Sequence, residues 1–235
     1  SIELNKIHHM NCINGMKLMP NKCIDLIVTD PPYLINYSTN RRKESRNNDK
    51  LDFGTVIQND DNPELIAEYI KQCYRIMKDN TAMYIFCSWK TEDFFKLELE
   101  KYFEIKNQII WVKNNHTAGD LKGQFGQQYE IIFLVNKGRC VFNGERIQDV
   151  WFFDKVSGKE QTHQNQKPQP LIEQCIEKHS QINDIVFDGF MGSGTTAFAA
   201  KKLGRQFLGF ELEKDYCEKA NKKVITINKD VRVFK

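Results

Sequence analysis

The 235-residue sequence has no uninterrupted apolar run of about 18 residues, the length that a membrane-spanning helix needs. Its seven cysteines are scattered without a C-x-x-C pair, and its five histidines show no zinc-ligand spacing. We therefore expect no transmembrane helix, no structural metal and reduced thiols. Unpaired cysteines are typical of a cytoplasmic protein, and the first residues lack the apolar core of a signal peptide.

Net charge is also low, at +3 with histidine neutral, so the overall balance identifies no partner. One segment stands out from this balance: Arg41–Lys50, RRKESRNNDK, has five basic residues, two acidic residues and no apolar residue. Such a run is typical of a solvated loop. It is also suited to contact a polyanion, and it lies in an irregular stretch, residues 34–62.

Short apolar runs alternate with amphipathic helical patterns along the whole chain. Most of these runs are continuously apolar, which is typical of parallel strands covered on both faces. The sequence therefore predicts one α/β domain over residues 1–235, built on a doubly wound, mostly parallel sheet of seven strands. The predicted strands are Ile7–Asn11, Asp25–Asp30, Ala82–Cys87, Ile105–Val112, Tyr129–Val135, Asp184–Asp188 and Gln206–Glu211.

Only six prolines occur, and two of them are adjacent in the tetrapeptide DPPY, Asp30–Tyr33, which directly follows a predicted strand. Two consecutive prolines fix two φ angles and remove two backbone donors. The residue before each proline is pushed toward extended geometry. The tetrapeptide is therefore stiff, and it presents a carboxylate, carbonyl oxygens and an aromatic ring. A rigid turn at a strand end explains this pattern equally well when it is taken alone.

A second predicted strand, Asp184–Asp188, ends in a glycine-rich motif. The segment GFMGSGTT, residues 189–196, leads from it into a helix, and the next strand ends at Glu211. The segment Gly192–Ala197 fits the G-x-G-x-x-G/A fingerprint, and a carboxylate at Glu211 is suited to accept ribose hydroxyl hydrogens. Free amides at the start of the helix suit an anionic group.

Several ligands compete for this glycine motif. Thr195 stands where a nucleoside-triphosphate loop has its lysine, which argues against that ligand. A nicotinamide cofactor and S-adenosylmethionine both carry an adenosine ribose, and the fingerprint alone does not separate them. A purely structural glycine turn is a further interpretation. If the strands that end in Asp30 and Asp188 are neighbours, both motifs face one cleft at the switch point of the sheet.

The early DPPY, the segment HQNQKP at 163–168 and the late FDGFMGSGTT at 187–196 together resemble the amino-methylating DNA methyltransferases of the β class. The resemblance extends over about residues 7–227 and implies a Rossmann-like fold with S-adenosylmethionine as the cofactor. Within HQNQKP, four residues match the usual His-Pro-Thr-Gln-Lys-Pro segment of the family, and Gln164 and Asn165 depart from it.

The resemblance also implies the reaction. The family transfers a methyl group to an exocyclic amine of a base that has left the duplex. Asp30 and the Pro31 carbonyl would accept the two amine hydrogens, Pro32 would keep the motif rigid, and Tyr33 would stack on the base. In this family, an aspartate at the first position of the tetrapeptide favours methylation of adenine N6, and a serine there favours methylation of cytosine N4. Asp30 therefore favours adenine, with cytosine N4 as the alternative.

By the same resemblance, Lys167 would lie near the methionine carboxylate, Glu211 at the ribose, and the glycine turn along the methionine part. Gly189 stands where the family usually has proline, and Asn11 where it commonly has aspartate. The expected cofactor-binding residues are Asn11, Cys12, Lys167, Asp188, Gly189, Phe190, Met191, Gly192, Ser193, Gly194, Thr195, Thr196 and Glu211.

The polar segment 137–161 has the location of the family's target-recognition insertion, and loop 34–62 would contact DNA beside the flipped base. The basic residues expected at DNA are Arg41, Arg42, Lys43, Lys137, Arg139, Arg146, Lys155 and Lys159. Double-stranded DNA is the expected partner, with a homodimer and a cognate restriction enzyme as further candidates and no membrane. Two other classes of protein stay open. A nicotinamide-dependent oxidoreductase would leave DPPY unexplained. An inactive DNA-binding subunit would not need the intact Asp30 and Tyr33.

Overall fold

The computed structural model describes residues 2–34, 61–117, 121–156 and 166–227. Their strands are β1 (Lys6–His9), β2 (Ile24–Thr29), β3 (Met77–Cys87), β4 (Glu104–Val112), β5 (Tyr129–Lys137), β6 (Val150–Phe152), β7 (Ile185–Asp188) and β8 (Gln206–Glu211). Their helices are α1 (Cys12–Lys17), α2 (Pro63–Ile76), α3 (Glu92–Glu100), α4 (Gln169–His179), α5 (Thr195–Lys202) and α6 (Lys214–Ile225). No helix among these residues has both the length and the apolarity that crossing a bilayer requires.

The described strands form one sheet in the order β1-β8-β7-β2-β3-β5-β4-β6. All neighbouring pairs are parallel except those of β5, which runs antiparallel to both β3 and β4. The predicted α/β class and mostly parallel sheet are confirmed. The sheet has eight strands rather than seven, because β6 pairs with β4 at the edge. Three residues, of which only Trp151 is buried, are too few to show a period in the sequence.

Helices cover both faces of the sheet, as a doubly wound fold requires. Helices α1, α2 and α3 pack on one face, where Met16, Ile70 and Phe95 join the core. Helices α4, α5 and α6 pack on the other face, where Ile176, Ala200 and Val224 do the same. Strands buried from both sides explain the continuously apolar runs of the sequence.

The carboxyl end of α4 is fixed to the sheet by a buried histidine. His179 Nδ1 lies 2.6 Å from the Tyr84 hydroxyl of β3, and both side chains are buried. Burial, followed by the charge of Lys178, lowers the pKa of His179 to about 4. At neutral pH the imidazole is therefore uncharged, and one hydrogen bond joins its Nδ1 to the Tyr84 hydroxyl.

We expect this histidine to make stability depend on pH. Its pKa in the unfolded chain is near 6.5, so on acidification the unfolded chain binds a proton first. The free energy of unfolding should then fall as the pH drops from about 6.5 to about 4, by up to about 3 kcal/mol, and level off below. Urea unfolding across this range should show a shallower fall for His179→Gln, which keeps an acceptor for Tyr84 but does not titrate. Equal pH dependence in both proteins would contradict the assignment.

Candidate active site

The two strand-end motifs meet at one edge of the sheet. Strands β2 and β7 are parallel neighbours, with Leu26 beside Val186 and Ile27 beside Phe187. Asp30, which follows β2, and Asp188, which ends β7, therefore lie at the same carboxyl edge. The chain leaves this edge in opposite directions, toward β3 from one strand and toward β8 from the other. This is the switch point at which open α/β sheets bind their ligands.

Asp188 organises the glycine turn through bonds within the protein. Its Oδ1 accepts from the Thr29 hydroxyl at 2.9 Å and from the Phe190 amide at 3.0 Å. Its Oδ2 accepts from the Thr196 hydroxyl at 2.9 Å. Burial raises the pKa of Asp188 to about 7, although these three donors oppose the shift. Asp188 thus joins the end of β2, the turn and the first residues of α5.

Position 189 has room only for glycine, because it lies against Tyr69, a residue that the sequence patterns did not single out. The amide of Gly189 donates to the Tyr69 hydroxyl at 3.1 Å, and that hydroxyl lies 2.8 Å from Thr29 Oγ1. Because the one hydroxyl hydrogen of Thr29 goes to Asp188, Tyr69 donates to Thr29. A Cβ at position 189 would lie 2.3 Å from Tyr69 Cε2. The proline usual in the family would therefore overlap the Tyr69 ring and lose the amide donor.

The glycine turn is held against the end of β8. Glu211 Oε2 accepts from the Gly192 amide at 2.7 Å, and the Met191 amide donates to the Phe210 carbonyl at 2.9 Å. Gly194, with a φ of +81°, precedes α5 and has the left-handed backbone that glycine favours. The turn therefore brings its backbone close to the Glu211 carboxylate.

The remaining residues expected at the cofactor surround this turn. Asn11 caps α1 with its side-chain oxygen and adjoins Glu211, because the Met10 amide donates to the Glu211 carbonyl at 3.1 Å. Ser193 Oγ lies 3.2 Å from Thr195 Oγ1. Four further residues complete the neighbourhood: Cys12, Met191 and Thr196, which are buried, and Phe190, whose ring meets the Tyr69 ring edge-on at 4.7 Å.

A largely buried cluster of four polar side chains, Asp30, Tyr33, Glu130 and Lys167, occupies the DPPY end of the edge. The Tyr33 hydroxyl lies 2.6 Å from Asp30 Oδ1 and 2.8 Å from Glu130 Oε2. Lys167 Nζ lies 2.9 Å from Asp30 Oδ2, 3.0 Å from Glu130 Oε2 and 2.7 Å from the Tyr33 hydroxyl. These contacts use all three ammonium hydrogens of Lys167. The structure thus brings Lys167 to Asp30, Glu130 and Tyr33 at the DPPY end of the edge.

Charge and burial oppose each other in this cluster. Burial raises the pKa of Asp30 despite the nearby Lys167 charge. Burial also opposes the charged form of Glu130, but the charges of Lys167 and then Lys113 outweigh it and lower the pKa of Glu130 to about 2. For Lys167 the two carboxylates outweigh burial and raise the pKa. Burial and the same carboxylates raise the pKa of Tyr33 well above its ordinary value, so the phenol keeps its hydrogen at neutral pH.

Sequence reasoning missed Glu130 and Lys113. Lys113 follows β4, Glu130 is the second residue of β5, and Lys113 Nζ lies 2.6 Å from Glu130 Oε1. Both side chains are largely buried, with 15% and 14% exposure. The only available signal was an acidic residue at the start of an otherwise apolar strand.

The two arginines expected at DNA from the insertion, Arg139 and Arg146, lie at the opposite edge of the sheet from Asp30. Lys137 pairs with Thr81 near the amino end of β3, about 20 Å along the strand from the edge with Asp30. Arg139 follows it beside Asn80. Arg146 lines a cavity with Tyr84 and His179, near the carboxyl end of α4.

Lys137 is buried, and its ammonium donates to the Tyr74 and Met77 carbonyls at 2.7 and 2.8 Å, so it is not available to DNA. The other basic positions have different outcomes. Lys155 lies just beyond β6, on the side of Asp30. Arg41, Arg42, Lys43 and Lys159 lie outside the described residues.

Comparison with known proteins agrees with this geometry. A family model described as DNA methylase, of the N6 and N4 methyltransferase type, matches residues 24–148 and 140–222. The type II methyltransferase M.HinfI of Haemophilus influenzae is 30% identical, over 94% of this chain and 68% of its own length. The DNA adenine methyltransferase YhdJ of Escherichia coli is 28% identical, over 91% and 80%. The solved M1.HpyAVI–SAM complex is 30% identical with a TM-score of 0.71, covering 94% of this chain and 99% of that one.

The fold is that of an S-adenosylmethionine-dependent methyltransferase. More narrowly, this chain belongs to the DNA methylase family that modifies exocyclic amino groups, N6 or N4. It is therefore an enzyme whose cofactor is S-adenosylmethionine and whose substrate is DNA.

We expect residues 69 and 189 to depend on each other. Gly189→Pro should lower the free energy of unfolding by about 2–4 kcal/mol, because it removes a buried hydrogen bond and overlaps the Tyr69 ring. Tyr69→Leu removes that ring, so Tyr69→Leu/Gly189→Pro should be more stable than the sum of the single effects predicts, by at least about 1 kcal/mol. Urea unfolding of the four proteins gives this coupling directly. Strictly additive effects would disprove the steric explanation.

Proposed function

We propose that this protein methylates the N6 amino group of adenine in double-stranded DNA at a specific sequence. The observation that carries the proposal is the pairing of β2 with β7, which holds the Asp30 carboxylate beside the glycine turn. One part of the edge then serves the cofactor and the other the target base. The similarity to the DNA adenine methyltransferase YhdJ and the aspartate at position 30 favour adenine. Cytosine N4 methylation, which uses the same geometry, is the alternative.

The residues of the DPPY cluster fit the needs of an amine nucleophile. The exocyclic nitrogen of adenine is weakly nucleophilic because its lone pair is delocalised into the ring. Asp30 and the Pro31 carbonyl accept its two hydrogens, which frees the lone pair, and the Tyr33 ring holds the flipped base. As the nitrogen–carbon bond forms and the carbon–sulfur bond breaks, the nitrogen loses one hydrogen as a proton. Asp30, whose pKa is raised, is placed to receive that proton and pass it to water.

The donors and acceptors at the glycine turn fit the cofactor, which supplies an electrophilic methyl group on a sulfonium. The first turn of α5 has amides without a partner inside the helix, and with the Ser193 and Thr195 hydroxyls they suit the methionine carboxylate. We assign the ribose to Glu211 and the adenine side of the pocket to Asn11 and Phe190. In this arrangement Lys167 serves the catalytic cluster.

We propose that DNA approaches the edge that carries Asp30. Beyond this edge the β4–β5 hairpin continues, because the Thr117 amide donates to the Gln127 carbonyl at 2.8 Å. Phe125 near its tip is fully exposed, and Phe152 at the end of β6 is 71% exposed. Trp89, also exposed, donates to the Gln127 side chain at 3.1 Å and so braces the hairpin. Exposed aromatic rings at this edge suit stacking against DNA bases.

We accordingly assign target recognition to only part of segment 137–161. Residues 141–149 are fastened to the end of α4, where the Asn143 amide donates to the Lys178 carbonyl at 2.7 Å. Of the described residues in this segment, 150–156 run toward the catalytic edge. We assign sequence recognition to that part and to the hairpin, and backbone contact to loop 34–62. A homodimer, a cognate restriction enzyme and a cytoplasmic location remain proposals that rest on the family.

The reaction is tested with one pair of variants and DNA that lacks methylated bases. The wild-type enzyme should produce N6-methyladenine and no N4-methylcytosine, as measured by mass spectrometry of digested nucleosides. Asp30→Ala should lower turnover by about a hundredfold or more while S-adenosylmethionine binds normally in calorimetry. Glu211→Ala should instead weaken that binding by about tenfold or more, because it removes the ribose acceptor. Wild-type turnover by Asp30→Ala would refute the mechanism, and N4-methylcytosine as the product would establish the alternative.

The direction of DNA approach is tested by comparing the two edges of the sheet. Phe125→Ala and Phe152→Ala should each lower the affinity for a duplex oligonucleotide by about tenfold, because each removes a stacking ring. The matched variant Arg139→Ala/Arg146→Ala should leave the affinity and its salt dependence unchanged, although it removes two positive charges. Fluorescence anisotropy at several salt concentrations measures both quantities. The reverse pattern would place DNA at the opposite edge.

A further inference from the structure

Glu130 is the second acceptor for both donors that occupy Asp30. The phenol of Tyr33 has one hydrogen but two carboxylate neighbours, Asp30 Oδ1 at 2.6 Å and Glu130 Oε2 at 2.8 Å. Lys167 likewise reaches Asp30 Oδ2 at 2.9 Å and Glu130 Oε2 at 3.0 Å. A single oxygen of Glu130 thus lies within hydrogen-bond distance of everything that is bound to Asp30 in this cluster.

This arrangement matters because a base amine must compete for Asp30. An amine that donates to Asp30 meets the Tyr33 hydroxyl and the Lys167 ammonium at the same two oxygens. If these donors left Asp30 without another carboxylate to receive them, the half-buried Tyr33 hydroxyl would lose its acceptor and the buried Lys167 ammonium would keep only the Tyr33 oxygen, which is strongly unfavourable. Glu130 removes that obstacle, since both donors already contact it.

We propose that Glu130 is a positioning residue that retains the Tyr33 hydroxyl and the Lys167 ammonium while the target amine binds Asp30, and that Lys113 holds Glu130 in place for this exchange. The inference rests on the methyltransferase function proposed above and goes beyond it. Glu130 acts through Tyr33 and Lys167 and is not expected to touch the reacting atoms.

Lys113 is fitted to its part by position and by charge. Its ammonium lies 2.6 Å from Glu130 Oε1, which leaves Oε2 directed at Tyr33 and Lys167. It also lies 5.1 Å from the centre of the Trp111 ring, which further limits its movement. With Lys113 included, two carboxylates and two ammonium groups face each other, and the cluster has no net charge.

The ionisable groups that face Asp30 come from several elements. Lys167 before α4, Glu130 on β5 and Tyr33 in the same loop shift the pKa of Asp30, whereas the charge of Asp30 in turn raises the pKa of Asp188 on β7 and of Cys87 on β3. Of these, Glu130 disfavours the ionised form of Asp30, and Lys113 compensates the charge of Glu130. Since Asp30 must be ionised to accept the amine hydrogens, turnover falls on the acid side as Asp30 takes up a proton.

Four variants separate the role of Glu130 as a hydrogen-bond acceptor from the effect of its negative charge. Glu130→Met should lower kcat by about tenfold to a hundredfold, because Tyr33 and Lys167 lose their second acceptor. It should also move the acid side of the kcat–pH profile to lower pH, because a negative charge beside Asp30 is gone. Lys113→Met should move the acid side to higher pH, and Lys113→Arg should restore it. In Glu130→Met/Lys113→Met the net charge is zero again, so the acid side should return close to wild type while kcat stays low.

The controls distinguish this role from a purely structural one. Glu104→Gln changes an exposed glutamate of the neighbouring strand β4, paired with Lys106, and should leave kcat and the pH profile unchanged. Affinity for S-adenosylmethionine, measured by calorimetry, should be the same in all variants, because none of them touches the glycine turn. If Glu130→Met does not fold, Lys113→Met against Lys113→Arg decides.

The inference fails if Glu130→Met keeps the wild-type kcat, or if Lys113→Met leaves both kcat and the pH profile unchanged. It also fails if the double variant recovers the wild-type kcat, since charge alone would then explain the effect. An active Asp30→Ala enzyme, in contrast, would overturn the proposed function itself. The two failures are therefore distinguishable.

Discussion

The side-by-side pairing of β2 and β7 is the constraint on which the rest of the structure depends. These strands are separated by more than 150 residues of chain, yet their carboxyl ends lie next to each other. Thr29, the last residue of β2, donates to Asp188, the last residue of β7, so the two ends are also joined by a side-chain bond. Any shift in their register would separate the catalytic carboxylate from the cofactor turn.

The second constraint is electrostatic. Asp30 and Glu130 are two carboxylates that share the Tyr33 hydroxyl in a largely buried place, where their repulsion would be severe without compensation. Lys167 and Lys113 provide that compensation from two further elements, one before α4 and one after β4. Four charged groups from separate parts of the chain thus form one neutral cluster. Of these four charged groups, only Asp30 is held in place by the stiffness of the two prolines.

The features that follow from local patterns were predictable from the sequence. Continuous apolar runs indicated the parallel sheet, and two motifs at strand ends indicated the edge where Asp30 and the glycine turn meet. Glu130 and Lys113 were not predictable, because single charged residues next to strands form no motif and only the β4–β5 pairing joins them. The position of Arg139 and Arg146 relative to Asp30 was not predictable for a related reason. A basic residue in an insertion is expected at the surface, but the direction of the neighbouring strands decides which edge of the sheet that residue reaches.

The contact between Gly189 and Tyr69 has a consequence for how this protein can change over time. The two residues are 120 positions apart, and the Tyr69 ring occupies the space that a Cβ at position 189 would need. A proline at 189 and a tyrosine at 69 are each compatible with the fold but not with one another. Neutral drift toward the proline usual in the family is therefore blocked at position 189 unless residue 69 loses its ring first. The order in which the substitutions arise, rather than either residue by itself, decides which route is open.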